Sequence, residues 1–280
     1  MGAAFASFDT AGASERALAL YNRTDYTSAI KVLREAPGSA DKNAGDLKLL
    51  GQCYFMLGQF KNSTDALEKA AVLAPNDSML QTWLGRAWGR RAETSFPLTA
   101  IGYATKTREA FEKAVQIDPG NAEALGDLFD FYMGAPRFMG GGSDKAEGLL
   151  AQYEHYDPVG AYQARARVDE SKQRLDSAES HLRRAVEAAP KSVSLVLNLA
   201  QFLARHGRYE ESESVFQQAV NVAPESPRIL YAKADTYLKT GRNIEQAREL
   251  LKKYIAAKNL TPDDPPVWEA QKLLKKAQGG

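Results

Sequence analysis

The chain has 280 residues, enough for a sizeable core, and its 36 basic and 35 acidic side chains leave a formal net charge of +1. This balance argues against a nucleic-acid-binding protein that depends on bulk positive charge, and no run of about 18 apolar residues predicts a transmembrane segment. The single cysteine, Cys53, excludes an intrachain disulfide framework, and the three histidines fit no metal motif, so we expect no cofactor and no metal.

The amino-terminal segment leaves the cellular location open. Ala4-Phe5-Ala6 has the small-x-small pattern of a signal-peptidase site, but neither a charged segment nor an apolar run precedes it. This start fits an exported, periplasmic protein whose signal has been removed, and it also fits a cytoplasmic protein without a signal. For residues 1–9 we expect a disordered or processed segment.

Prolines recur along the chain at intervals of 44, 39, 32 and 34 residues. Four of them lie in similar stretches, which read KAAVLAPND, KAVQIDPGN, RAVEAAPKS and QAVNVAPES. A period in this range predicts a repeat protein. The prolines in the series are Pro75, Pro119, Pro158, Pro190 and Pro224.

Each repeat has the pattern of two helices joined by a turn. The first half carries a Leu-Gly-x-x-Tyr pattern, as in LGQCY from Leu50, and the second half carries an Ala-x-x-x-Leu pattern, as in AESHL from Ala178. Small residues at these positions let two antiparallel helices approach closely, while large residues fill the seam. We predict the turns at MLGQF, RHGRY and KTGRN, and the prolines end the second helix.

These patterns resemble the tetratricopeptide repeat (TPR) family, whose pattern is W-x2-L-G-x2-Y…A-x3-F…P. The match is best over residues 47–75, with Leu47 in place of Trp and Ser63 in place of Ala, and it recurs over residues 193–224. The resemblance implies a TPR protein of bacterial type. It also implies an all-α, right-handed α-solenoid of about seven helix-turn-helix units, in which stacked units bury one continuous core.

The resemblance divides residues 10–261 into seven units and leaves residues 262–280 as a capping helix and tail. We predict the capping helix over residues 265–277, with Asp264 as its N-cap and with Val267, Leu273 and Leu274 facing the last unit. The predicted units are 10–43, 44–77, 78–121, 122–160, 161–192, 193–226 and 227–261.

Two units are longer than the period, and their extra residues fall between the two predicted helices. The third unit has RRAETSFPLTAIGYATK at residues 90–106, and the fourth has MGAPRFMGGG at residues 133–142. We expect both segments to be loops on the same edge of the array, where their apolar side chains pack into a small cluster. The expected members are Phe96, Pro97, Leu98, Tyr103, Pro136, Phe138 and Met139.

The three glycines at 140–142 invite comparison with a phosphate-binding loop. They do not follow a predicted strand, and no Lys-Ser/Thr pair follows Gly142, as a P-loop requires. We expect instead a wide turn whose glycines adopt positive φ, with Ser143 as the N-cap of the next helix and Asp144 favourable to the helix dipole.

No pair or triad of side chains has a spacing diagnostic of catalysis, so we predict no enzymatic activity. Acidic pairs such as Asp169-Glu170 fit solvated helix faces. In the TPR family the first helix of each unit lines a concave groove. The resemblance therefore implies a non-enzymatic scaffold that binds a protein or peptide partner there. The groove candidates are Lys48, Gln52, Phe55, Met56, Arg86, Arg90, Asp130, Arg167, Asn198, Gln201, Arg205, Arg228, Tyr231, Asp235 and Lys239.

The alternative is a small-ligand or glycan site at the two insertions. Its candidate residues are Trp88, Arg91, Phe96, Tyr103, Arg137, Phe138 and Met139. Some TPR proteins hold a carboxyl terminus with a Lys/Asn/Asn/Lys/Arg set. Asn198 and Arg228 match two of those positions, but Gln163, Arg167 and Ala232 do not match the others, so we do not expect that activity.

Overall fold

The computed structural model describes residues 2–36 and 43–278, and every regular element in these ranges is helical, which confirms the all-α repeat fold. A 3-10 turn covers Arg137–Met139. The helices are α1 Gly2–Asn22, α2 Tyr26–Glu35, α3 Ala44–Met56, α4 Phe60–Leu73, α5 Ser78–Glu93, α6 Pro97–Ile117, α7 Ala122–Gly134, α8 Ser143–Gly148, α9 Leu150–Tyr156, α10 Pro158–Ser171, α11 Leu175–Ala188, α12 Val193–Arg205, α13 Tyr209–Val222, α14 Pro227–Thr240, α15 Ile244–Ile255 and α16 Val267–Gln278.

The chain divides after Gly160 into two compact parts, each of which contains several of the predicted repeats. We call these two parts the first unit and the second unit. In the first unit the helices pack as successive hairpins, α1 with α2, α3 with α4 and α5 with α6, and α7 packs against α8 and α9. The first helices of these hairpins, α1, α3, α5 and α7, contact one another in order. In the second unit α12 packs with α13 and α14 with α15, and α12, α14 and α16 are in contact in order.

Small residues set the distance between the two helices of a hairpin, as the sequence pattern predicts. A Cβ added at Gly51 would lie 2.5 Å from Leu67 Cγ, and one at Gly85 would lie 2.4 Å from Phe111 Cε1. Two buried serines replace alanine in the second helices and add a hydrogen bond between helices. Ser63 donates to the Gly51 carbonyl at 2.8 Å, and Ser212 donates to the Ala200 carbonyl at 2.7 Å.

The helix starts follow from local side-chain chemistry. Asp25, Asn43, Asp77 and Asn121 each accept a hydrogen bond from a backbone amide of the first helical turn that follows. These contacts satisfy amide groups that have no partner within the helix. Inside the hairpins, Cys53 is completely buried.

The first insertion is not the loop that we expected. α5 continues to Glu93, where the Thr94 and Ser95 hydroxyls donate to carbonyls of its last turn. After a short turn, α6 begins at Pro97, a residue whose fixed φ suits the first helical position, and it runs for 21 residues. Most of the extra residues therefore lengthen the hairpin.

The second insertion is the expected turn, built from the 3-10 segment and the glycines. Gly140 has φ 97° and Gly142 has φ 151°, and a Cβ at Gly141 would lie 1.8 Å from the Ala135 carbonyl oxygen. The three glycine amides donate to the carbonyls of Arg137, Pro136 and Tyr132 at 2.9, 3.2 and 2.8 Å. They therefore close the turn and are not available to cradle a phosphate. The predicted N-cap is wrong, because Gly142 holds that position and Ser143 is already helical.

At the carboxyl end α16 begins at Val267, two residues later than predicted, and Asp264 is not its N-cap. The Asp264 carboxylate instead accepts from the Thr261 amide at 2.8 Å and contacts Arg228. Leu273 and Leu274 pack against the core of α14 and α15, as predicted.

Residues 2–9, for which we expected a disordered or processed segment, lie within α1. Residue 1 of that segment, residues 37–42 near the end of the first predicted repeat (10–43), and residues 279–280 at the end of the predicted tail lie outside the described residues.

Candidate functional site

The first unit contains an open pocket of about 560 Å³, a size typical of ligand sites. Its walls come from Phe55 of α3, from α5, from α6 between Ala100 and Phe111, and from α7 from Asp127 onward with the residues that follow it up to Met139. Most of the lining side chains are apolar or small. The lining residues are Phe55, Gly85, Arg86, Gly89, Arg90, Ala92, Glu93, Ala100, Ala104, Thr107, Phe111, Asp127, Asp130, Phe131, Gly134, Ala135, Pro136 and Met139.

Two glycines keep this pocket open. A Cβ added at Gly89 would make an ordinary contact with Thr107, 3.6 Å from its Cγ2. A Cβ added at Gly134 would have no neighbouring atom within 4 Å. Side chains at either position would therefore take up pocket volume without a clash of the Cβ.

Arg86 provides a fixed positive charge on the pocket wall. Its Nε donates to Asp127 Oδ2 at 2.5 Å, its Nη2 lies 2.9 Å from Glu123 Oε2, and its guanidinium lies 5.0 Å from the centroid of the Trp83 ring. Burial opposes the charged form of Arg86, but the two carboxylates outweigh this effect and raise its pKa. Burial also raises the pKa of Asp127, more than the ion pair with Arg86 lowers it. The pair is thus partly withdrawn from water.

The other charged groups of the pocket carry both signs. Arg90 Nη1 donates to Glu93 Oε2 at 2.9 Å, and its guanidinium lies 5.7 Å from the centroid of the Phe60 ring. Asp130 lines the pocket from α7 and is exposed. An apolar interior with charges of both signs around it can hold an apolar group and orient polar groups beside it.

Four of the groove residues predicted in the first unit line this pocket: Phe55, Arg86, Arg90 and Asp130. The other three do not. Lys48 forms an ion pair with Asp77 at 2.8 Å, and Gln52 is half-buried. Met56 was expected in the groove but is buried in the core around α2 and α3, because the helix turns this position toward its neighbours.

The groove residues predicted in the second unit mostly contact one another or neighbouring helices. Arg205 makes two hydrogen bonds to Glu170, both at 3.0 Å, and Asn198 donates to Gln163 at 2.5 Å. Arg228 donates to Ser194 at 2.8 Å. Further contacts join Lys239 to Asp235 and Tyr231 to Glu269, while Gln201 is half-buried and Arg167 is exposed.

Three of the predicted insertion-site residues form an internal stack. The rings of Trp88 and Tyr103 are stacked with centroids 5.0 Å apart, and the Arg91 guanidinium lies 4.6 and 4.3 Å from these two centroids. Arg91 also donates to the Tyr103 hydroxyl at 2.6 Å and to Thr64 at 3.0 Å. These contacts join α4, α5 and α6, so the stack stabilises the packing of the α5–α6 hairpin against α4.

The predicted apolar cluster between the insertions is wrong. Phe96 is 86% exposed, Leu98 is 89% exposed and Phe138 is 73% exposed. The reason is that α6 begins at Pro97, which leaves Phe96 and Leu98 at its exposed amino end, while Phe138 lies separately in the 3-10 turn. Arg137 is exposed and pairs with Asp144 at 3.2 Å, and Met139 alone of the seven residues predicted for the insertion site lines the pocket.

Several pocket residues were missed by sequence reasoning. Asp127, Asp130 and Phe131 have the i, i+3, i+4 spacing that places side chains on one face of a helix. This spacing could have indicated that Asp127 and Phe131 lie beside the predicted groove residue Asp130. Gly89 and Ala104 give no such signal, because a small residue indicates a close contact and a pocket wall equally well.

Among the residues whose side chains the structure describes, there is no group of three or more His, Cys, Asp or Glu side chains that could bind a metal ion. In the same part of the chain no helix combines the length and the hydropathy that crossing a membrane needs.

Comparisons with known proteins agree with this architecture. A family model described as tetratricopeptide repeat matches residues 171–230 and 203–274, and one described as anaphase-promoting complex, cyclosome, subunit 3 matches residues 12–70. No curated protein matches the chain significantly.

Similar solved structures include two from bacteria. A TPR protein from Parabacteroides merdae has a TM-score of 0.61 and 14% identity, with 96% of this chain and 99% of that chain covered. A thermophilic TPR protein from Thermus thermophilus has a TM-score of 0.56 and 20% identity, with 69% and 98% covered.

A third similar structure is the APC/C hetero-tetramer Cut9-Hcn1, with a TM-score of 0.54 and 14% identity, covering 93% of this chain and 48% of that one. At these identities the likenesses show the fold. The close-packed helical hairpins, the recurring sequence pattern and the matched family models together show that the chain belongs to the tetratricopeptide repeat family.

Proposed function

We propose that this protein is a non-enzymatic scaffold that binds a peptide or protein partner along the first helices of its repeats. The TPR fold is that of a protein–protein interaction scaffold. The observation that carries the proposal is the pocket, whose walls include residues of α3, α5 and α7, the adjacent first helices of three hairpins.

The lining of the pocket suits a large apolar side chain of the partner. Phe55, Phe111 and Phe131 provide apolar surface, and Arg86 and Asp130 provide opposite charges beside it. Full burial of one large apolar side chain contributes roughly 1.5–3 kcal/mol before ordering costs. The charged residues would then select the polar groups of the partner next to this anchor.

A second candidate is a small apolar ligand in the same pocket. Ala100 from the first insertion and Pro136 and Met139 from the second line the pocket, so both insertions contribute to it. The mostly apolar walls favour a small apolar molecule over a glycan, which would need more hydrogen-bonding groups.

The proposal is tested by selecting peptides from a random display library with the purified chain and measuring their affinity by fluorescence anisotropy. The pocket variant is Gly134→Leu, and the matched control is Gly102→Leu, another helical glycine with no neighbouring atom within 4 Å of an added Cβ. We expect selected peptides to share a large apolar residue and to bind the pocket variant at least about tenfold more weakly than the control.

Equal affinity for the two variants would contradict the pocket as the binding site. If no peptide is enriched but a fluorescent apolar dye binds the control and not the pocket variant, the small-ligand candidate replaces the peptide proposal.

A further inference from the structure

A buried tyrosine recurs at the last position of the Leu-Gly-x-x-Tyr pattern. Tyr54 in α3, Tyr132 in α7 and Tyr237 in α14 hold this position, and each is at most 9% exposed. The Tyr132 hydroxyl donates to Glu112 Oε1 at 2.8 Å, and the Tyr237 hydroxyl donates to Glu213 Oε1 at 2.6 Å. Both glutamates lie on the second helix of the preceding hairpin, α6 and α13 respectively.

Tyr54 lacks this acceptor, because the preceding second helix, α2, has other residues at the two glutamate positions. Arg34 corresponds to Glu112, since each directly follows the large buried residue of the Ala-x-x-x-Leu pattern. Ile30 corresponds to Glu213, since each directly follows the small buried residue of that pattern. In the described part of the chain the Tyr54 hydroxyl is buried and has no hydrogen-bond partner. Buried hydroxyl groups normally have one, so this group needs an acceptor.

Tyr54 lines a pocket of about 290 Å³ formed by α2, α3 and α4, which we call the tyrosine pocket. It shares no lining residue with the pocket of the proposed function, so the two are tested independently. Its volume is at the small end of the range for ligand sites. The lining residues are Arg34, Leu47, Leu50, Tyr54, Asn62, Asp65, Ala66 and Lys69.

The charge around the tyrosine pocket is mainly positive. Arg34 and Lys69 line it, and Asp65, the one acidic lining residue, forms an ion pair with Lys61 at 2.8 Å. The Arg34 guanidinium lies 5.8 Å from the centroid of the Tyr54 ring, and no carboxylate of the described residues forms an ion pair with it. The pocket therefore attracts an anion.

The other two tyrosines show what kind of anion is missing. There a basic side chain accompanies the glutamate that accepts from the tyrosine: Lys233 Nζ lies 2.6 Å from Glu213 Oε2, and Arg108 Nε lies 3.7 Å from Glu112 Oε1. Each of these sites thus contains a tyrosine, a carboxylate and a cation. The tyrosine pocket contains the tyrosine and the cations without the carboxylate.

We propose that the tyrosine pocket binds a carboxylate from outside the chain, which accepts from the Tyr54 hydroxyl and pairs with Arg34 and Lys69. Arginine suits this role because its planar guanidinium can donate two hydrogen bonds to one carboxylate. The hydroxyl is buried, so the ligand reaches it when an exposed lining side chain such as Arg34 moves aside. Long exposed side chains change rotamer within nanoseconds.

The test is an NMR titration of the ¹⁵N-labelled full chain, followed at the Tyr54 backbone amide and the Asn62 side-chain amide. The probes are sodium acetate and a pentapeptide with one central glutamate between glycines, capped at both ends so that it has no terminal carboxylate. Sodium chloride at equal ionic strength and the same peptide with glutamine are the references. Tighter binding of the glutamate peptide than of acetate identifies an acidic side chain of a partner as the ligand, and equal affinity identifies a small free acid.

Three variants locate the ligand. Tyr54→Phe should bind both probes at least about tenfold more weakly, because a hydrogen bond to a charged group is lost. Arg34→Glu places a carboxylate where Glu112 stands in its own repeat and should abolish binding. Lys31→Glu reverses the charge of another exposed residue of α2 that does not line the pocket, so it should bind as wild type does.

Unfolding in urea without ligand gives a second readout. Tyr132→Phe should be less stable than wild type because it loses the bond to Glu112, whereas Tyr54→Phe should keep the wild-type midpoint. An equal loss of stability in both variants would show that the Tyr54 hydroxyl already has an acceptor in the ligand-free chain, and would overturn the proposal. Probe-induced shifts no larger than those with sodium chloride, or equal binding by wild type and Tyr54→Phe, would overturn it as well.

Discussion

Alanine substitutions at Gly85 and Gly89, one turn apart in α5, should have opposite effects on stability. A Cβ at position 85 would lie 2.4 and 2.5 Å from two ring atoms of Phe111, distances that real Cβ atoms essentially never show. Phe111 is only 5% exposed, so its ring has little room to move away. At position 89 the nearest atom would be Thr107 Cγ2 at 3.6 Å, an ordinary contact.

The expected magnitudes follow from two opposing effects. Replacing a helix-interior glycine with alanine stabilises by roughly 0.5–1 kcal/mol, because the unfolded chain loses freedom. Overpacking a core costs about 1–3 kcal/mol, and the overlap with Phe111 favours the upper end. Gly85→Ala should therefore lower the free energy of unfolding by about 2 kcal/mol, whereas Gly89→Ala should raise it by up to about 1 kcal/mol.

Urea unfolding followed by tryptophan fluorescence measures this difference in the part of the chain that contains the two glycines. Two of the three tryptophans, Trp83 and Trp88, lie in α5 itself, so the signal reports mainly on the first unit. The change in midpoint at constant slope gives the change in free energy. The packing argument would be refuted if Gly85→Ala were as stable as wild type, or if both variants lost the same stability.

Three other predictions concern separate parts of the chain. Burial raises the pKa of Cys53 to about 12, so iodoacetamide should label the native chain very slowly and the urea-unfolded chain rapidly; fast native labelling would contradict this packing. Partial burial opposes the ionisation of Glu170, but hydrogen bonds from Arg205 and His206 outweigh it and lower its pKa below 4.5, its ordinary value. Glu170 therefore stabilises the fold above about that pH and loses this contribution as the pH falls through its folded-state pKa, so Glu170→Gln should be less stable than wild type near neutrality and the gap should narrow in acid. Equal stability of the two proteins at neutral pH would refute this prediction. Deleting residues 262–280 should expose the buried Leu251 and Tyr254 and promote aggregation or fraying of α14 and α15. Light scattering measures the aggregation and hydrogen exchange measures the fraying. A truncated chain that stays monomeric and melts at the wild-type temperature would contradict this prediction.

The sequence by itself determined the architecture of this protein. The recurring Leu-Gly-x-x-Tyr and Ala-x-x-x-Leu patterns are local rules, because each unit repeats the same pairing of small and large residues. Gly51 against Leu67 and Gly85 against Phe111 are therefore predictable from spacing. The turn at Gly140–Gly142 was also predictable from the sequence, because three successive glycines indicate positive φ and a close backbone approach.

Only the tertiary structure decided where the insertions and the pocket lie. The segment at residues 90–106 carries no strong helix signal around its single proline and its aromatic residues, yet packing against α5 makes most of it helix and leaves Phe96 and Leu98 exposed. Residues of α3, α5, α6 and α7 that are far apart in sequence then meet around Gly89 and Gly134. A pocket depends on the distances between helices of different repeats, and the spacing of residues within one repeat does not determine those distances.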